Sequence, residues 1–230
     1  MAGERDQRPL VAAAEAARAP GLRREGDRDV PAGPRAERTR GALMQAAYDL
    51  FTTRGYHDTP VADIATQAGV SLGTFYQYFR DRSDVVASLV RAGVSQMVEQ
   101  TDIGWRVSGG RDSLVRMLRG FIAQYVQGAA FSKMWEAASH TEPELAELRR
   151  DLGRLLTEQV ERELTRGGEA GHCRPFNPRE AALTARTLTG MVDRFCYVTY
   201  VFDPPEPLPT PDESAELLAD VWAAAIDLKG

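Results

Sequence analysis

Between Leu72 and Arg82 the chain reads LGTFYQYFRDR, and the polar side chains in this stretch share one kind of chemistry. Thr74 and Gln77 offer both donors and acceptors, Tyr76 and Tyr78 end in hydroxyls, and Arg82 carries a permanent positive charge. No nucleophile is paired with a base here, so these groups are suited to recognition by hydrogen bonding and charge. The rest of the chain adds little that could catalyse. It has no Gly-x-Ser-x-Gly, no Cys-x-x-Cys and no glycine-rich phosphate loop. His172 and Cys173 are neighbours and His57 and His140 stand alone, which does not build a tetrahedral metal site. The expectation is a protein that binds rather than catalyses, with no metal and no cofactor.

The elements that would hold this stretch can be read from spacing. Ala65, Gly69 and Phe75 fall where a helix-turn-helix needs a small residue at the crossing, a turn residue that tolerates positive φ, and an apolar plug between the helices. Ile64, Ala68, Val70, Phe75 and Phe79 supply the inward face. Leu72, Gly73, Thr74, Tyr76, Gln77 and Tyr78 are left on or near the outward face. A helix of this kind fits the major groove of DNA, about 12 Å wide. Thr74 and Gln77 would address base edges, and Gly73 would allow close backbone approach. Tyr76, Tyr78 and Arg82 would meet phosphate and sugar.

Helical punctuation extends along the chain. Leu43, Ala46, Ala47, Leu50 and Phe51 recur at helical spacing and stop at Gly55. Thr59-Pro60 reads as a cap and first-turn proline for the next helix, Ser71 caps the one after, and Asp81 with Asp84 opens a fourth. Thr141–Glu144, Asn177–Glu180 and Thr210–Glu213 each put a capping residue three positions before an acid. Further helices are expected near 82–103, 111–127, 130–140, 143–166, 178–201 and 211–228, with loops at Gly109-Gly110, Gly167–Pro175 and Asp203–Pro209. No segment alternates with period two, so the fold class is all-α with about nine helices.

Charge and composition narrow the setting. The net charge is −5 over 230 residues, yet 34–82 carries six arginines against five acids, so the excess acid lies outside the candidate binding helices. Residues 1–33, with balanced charge, few large apolar side chains and repeated Pro and Gly, read as a disordered arm. Two cysteines make no disulfide framework, and no run of about 18 apolar residues would span a membrane. With no secretory signal evident, a cytoplasmic location is expected.

The run GVSLGTFYQYF, with Ala65 before it and Arg82 after, resembles the N-terminal domain of the TetR family of bacterial transcriptional regulators, over about Arg35 to Val86. It departs from the family in carrying Arg80 and Arg82 where lysine is frequent, and in the apolar Leu72. The resemblance implies DNA contact from Leu72, Gly73, Thr74, Tyr76, Gln77, Tyr78, Arg82 and the helix start near Thr59, with Arg35, Arg38 and Arg40 as a basic arm. It implies a helix-turn-helix DNA-binding domain at 34–82 and a helical effector-binding and dimerisation domain at 83–230. The last two helices would form a homodimer interface. Trp105, Phe121, Tyr125, Phe131, Met134, Trp135, Met191 and Phe195 are the candidate lining for a small lipophilic effector. Asp193, Arg194, Glu136 and Arg116 are polar candidates to join them. The function so implied is a homodimeric regulator, a repressor released from a palindromic operator by that effector. A ligand-independent or activating DNA-binding regulator is the alternative.

Overall fold

The computed structural model describes residues 31–100 and 105–229, apart from the side chains of 94–100. All but the last three residues of the expected N-terminal arm lie outside the described residues. The described residues form nine α-helices and no strand: α1 Pro34–Arg54, α2 Val61–Gln67, α3 Leu72–Tyr78, α4 Arg82–Gln100, α5 Gly110–Gln127, α6 Ala129–Thr141, α7 Pro143–Glu169, α8 Pro178–Tyr197 and α9 Pro211–Ile226. A 3₁₀ turn at Val107–Gly109 precedes α5, and α8 continues into a π-turn over Val198–Phe202.

The chain divides into two compact units. One comprises Met1–Val98 with Ala130–Arg149, the other Glu99–Ala129 with Arg150–Gly230. In this division α6 and the first turns of α7 group with the N-terminal helices.

In the first unit, α1 buries Leu43, Ala46, Ala47, Leu50 and Phe51, the stripe set by its periodicity. Ile64, Phe75, Phe79, Val85 and Val86 complete this core. Tyr48 stacks on Phe131 of α6 at 5.7 Å between ring centroids. Met134, one of the expected effector-lining residues, is buried in this unit.

In the second unit, α9 lies along α5, held by Arg111 to Glu216 (2.7 Å) and Asp220 (2.6 Å) and by an Arg119–Asp212 ion pair. Leu114, Leu118, Ile122, Leu164, Leu188 and Ile226 fill the core. Trp105, another expected pocket residue, is packed here edge-on against Trp222, and neither indole N–H has a hydrogen-bond partner among the described residues. Tyr200 on the π-turn shares a 2.7 Å hydrogen bond with Ser214 of α9. Cys196 is buried, which pushes its thiol up to about 12.

Two of the three expected capping boxes are complete. Asn177 and Thr210 each accept from the backbone of the acid three residues on, and that acid reaches back. The third is not there. Thr141 ends α6, with its hydroxyl turned back to the carbonyls of Ala137 and Ala138, and α7 begins after Glu142. The loop expected from Gly167 also starts later, because α7 runs through Gly167 and Gly168 to Glu169. A Cβ on Gly167 would lie 2.7 Å from Val107 Cγ1, and one on Gly168 would lie 3.1 Å from the Arg174 carbonyl. These glycines provide close packing inside a helix rather than a break in it.

Candidate nucleic-acid interface

The turn between α2 and α3 fixes the site. Gly69 has φ +69, and the Val70 N–H donates to the Ala65 carbonyl at 3.0 Å, closing α2 tightly. Ala65 is buried, as the crossing demands. Ser71 then caps α3: its hydroxyl accepts from the Thr74 N–H at 3.0 Å. Phe75 is fully buried and Phe79 nearly so, which pins the inner face of α3 and turns the opposite face outward.

That outward face carries Leu72, Gly73, Tyr76 and Gln77, all exposed, with Thr74 and Tyr78 half-buried beside them. Leu72 is 44% and Tyr76 42% exposed, high values for large apolar and aromatic side chains in a folded unit. A Cβ on Gly73 would meet nothing closer than Ser71 Oγ at 3.7 Å. Packing within the protein therefore gives no reason for glycine at this position.

The surrounding basic residues are placed unevenly. Arg35 and Arg38 are exposed on the first turn of α1. Arg40 is turned inward: its guanidinium lies over the Phe79 ring at 5.3 Å and donates to Met44 Sδ at 3.1 Å, and burial lowers its pKa. Arg82 Nη1 donates to the carbonyls of Tyr56 (3.0 Å), His57 (3.0 Å) and Thr59 (3.4 Å), and the group lies 4.8 Å from the Tyr56 ring centre. Arg82 thus staples the α1–α2 connection to the start of α4. Thr59 corrects an expectation. It is fully buried, its hydroxyl donates to the Gly55 carbonyl at 2.8 Å, and Pro60 occupies the cap position of α2, so Thr59 has no outward face.

Two contacts were not foreseeable from sequence spacing. The Tyr56 hydroxyl donates to Glu142 Oε1 at 2.9 Å, and Arg80 Nη2 pairs with Glu144 Oε2 at 2.8 Å. Burial first, then this bond to Glu142, raises the Tyr56 phenol above its ordinary range. The bond to Glu144 raises the Arg80 guanidinium. Both contacts are made by the turn between α6 and α7, one to the α1–α2 connection and one to the segment after α3, within the first unit.

The candidate effector residues are divided between the two units. Phe131 and Trp135 fall in the first unit, whereas Phe121, Tyr125, Met191 and Phe195 pack against the core of the second. Among the latter, the Tyr125 hydroxyl donates to Asp193 Oδ1 at 2.6 Å, which places one of the four polar candidates beside the aromatic group. Of the others, Glu136 pairs with Arg149, and Arg116 and Arg194 are exposed. A groove of about 300 Å³ runs along α7, lined by Glu158, Glu161, Arg162, Thr165 and Arg166; it shares no residue with the aromatic group. Among the described residues no cluster of His, Cys, Asp and Glu could hold a metal ion, and no helix is long and apolar enough to cross a membrane.

Residues 43–89, which include the whole helix-turn-helix, match the family model described as bacterial regulatory proteins, tetR family. This segment carries the N-terminal domain signature of the TetR family. Among curated relatives, the fatty acid metabolism regulator protein of Bacillus subtilis is 37% identical over 60 residues, 26% of this chain and 31% of that protein. The HTH-type transcriptional activator FasR of Mycolicibacterium smegmatis is 38% identical over 65 residues, 28% of this chain and 29% of that protein. These alignments span under a third of either relative. Similarity of fold reaches further. SmeT, the repressor of the Stenotrophomonas maltophilia multidrug efflux pump SmeDEF, superposes with a TM-score of 0.66 at 20% identity, covering 84% of this chain and 93% of SmeT. Its complex with triclosan superposes with a TM-score of 0.63 at 23% identity, covering 83% and 92%. The fold shared with SmeT thus extends well beyond the segment matched by the family model.

Proposed function

We propose that this protein is a DNA-binding transcriptional regulator in which α3 enters the major groove. The observation that carries the reading is the outward face of α3, where Leu72, Tyr76 and Gln77 stand exposed around a glycine with no packing role. Gln77 and Thr74 read base edges, Leu72 meets a thymine methyl, and Tyr76 and Tyr78 position the helix on the backbone. Arg35 and Arg38 add charge at the start of α1. A single short helix reads too few base pairs for an operator, so the protein acts as a homodimer on two related half-sites. Leu217 and Val221 on α9 and Leu183 on α8, each about half exposed, support pairing through the last two helices.

In this reading the regulator is a cytoplasmic repressor, and a lipophilic effector releases it. Phe121, Tyr125, Met191 and Phe195 supply the apolar surface, and the Tyr125–Asp193 pair the polar contact. The effector must bind the state that cannot hold DNA more tightly than the state that can, or nothing shifts. FasR is named an activator and SmeT a repressor, so likeness to the family leaves the sign of regulation open.

Selection of bound duplexes from a random pool, read by sequencing, tests the DNA-binding core of the proposal. Enrichment of a sequence with two inverted half-sites is expected. Absence of any enrichment at modest salt would overturn the assignment of α3 as a recognition helix.

A further inference from the structure

The first unit holds an arginine at the exit of α3 that is already engaged by an anion of the protein's own. Arg80 directly follows Phe79, the residue that ends α3, so its backbone is fixed beside the proposed DNA face. Its guanidinium pairs with Glu144 at 2.8 Å and lies 3.8 Å from Asp84. Glu144 sits on the first turn of α7, and that turn is anchored through the Tyr56–Glu142 hydrogen bond. The carboxylate is thus held at the arginine rather than left on a loose tether.

We propose that Glu144 is a built-in competitor of DNA phosphate for Arg80. A carboxylate and a phosphate engage a guanidinium with the same paired geometry, so one can replace the other. Both partners are accessible, at 53% and 48% side-chain exposure. An exposed ion pair in water is weakly held, so a phosphate arriving with α3 in the groove can exchange for the carboxylate. Whatever draws the α6–α7 turn closer strengthens the competitor and weakens the grip on the DNA backbone. Sequence reading is untouched by this exchange, because Arg80 lies beyond the base-facing residues of α3. The proposal rests on the DNA-binding reading given above.

The test is a salt titration of binding by the full chain to the duplex it selects from a random pool. The parent, Glu144→Gln, Arg80→Ala, the double variant and Glu147→Gln are compared by fluorescence anisotropy. Glu147 is an exposed acid on the same helix and measures the general effect of removing one negative charge. We expect Glu144→Gln to melt with the parent and to bind about tenfold more tightly. It should steepen the slope of log K against log salt by about 0.9 for each Arg80 freed. In the Arg80→Ala background the same change should alter affinity less than about twofold. Unchanged or weaker binding by Glu144→Gln overturns the proposal. So does a gain that survives in the Arg80→Ala background or is matched by Glu147→Gln. A parent that binds the selected duplex while this cycle is flat leaves the DNA-binding reading intact. A parent that binds no duplex removes both.

Discussion

At the scale of single residues, Gly73 separates protein stability from DNA binding most cleanly. It lies in the first turn of α3, where a Cβ would make only an ordinary contact with Ser71 Oγ, and its backbone is helical. Gly73→Ala should therefore raise stability by up to about 1 kcal/mol, through helix propensity. If the backbone here comes close to DNA, the same methyl should weaken operator binding at least about tenfold. Thermal melting and a binding isotherm on one preparation check both halves, and unchanged binding would free Gly73 from any DNA role. Tyr76→Phe combined with Gln77→Ala tests the side-chain contacts. Each lost base contact should cost about 1–3 kcal/mol of operator affinity with the melting temperature preserved, because both side chains are exposed. These residues were legible in the sequence because a buried Phe75 and Phe79 at helical spacing leave only one face for their neighbours. Thr59 was not, since a threonine before proline signals a cap equally well whether its hydroxyl points to a helix end or back to Gly55.

At the scale of elements, most local rules were read correctly, the box expected at Thr141 and the cap at Thr59 being the exceptions, and long-range ones were not. Ser71, Asn177 and Thr210 cap as their sequences predict, because a cap and its partner lie three residues apart. Gly167 and Gly168 looked like a helix end, but their need is set by Val107 and Arg174, which pattern alone does not bring near. Tyr56 and Glu142 are 86 positions apart, and no periodicity links them. Arg82 shows the consequence for function. Its place after α3 suggests a phosphate contact, yet its guanidinium bonds three carbonyls of the α1–α2 connection. Arg82→Gln should lower unfolding free energy by about 1–3 kcal/mol, since charged hydrogen bonds and a cation–π contact are lost together. A residue serving only as a phosphate contact would leave melting unchanged and reduce the salt dependence of binding instead. Chemical denaturation beside a salt titration decides between the two roles.

At the scale of the whole molecule, the reading depends on assembly. The second unit buries its tryptophan pair and aliphatic core yet leaves Leu217 and Val221, one turn apart on α9, 56% and 45% exposed. Leu183 on α8 is 56% exposed as well. Large apolar side chains at consecutive turns of one helix face are what a second copy would cover. Leu217→Glu together with Val221→Glu puts two like charges on that face without touching the packed side of α9, where Leu218 and Trp222 are buried. The variant should keep its helical content and sediment as a monomer. Its operator affinity should fall about 10²-fold or more, because the second half-site no longer binds as part of the same molecule. The affinity for an isolated half-site should stay within about twofold of the parent, since α3 and its support lie in the other compact unit. A variant that remains dimeric and binds normally would place the dimer contact elsewhere. A monomer with undiminished operator affinity would show that one recognition helix suffices, and the two-half-site reading would fall.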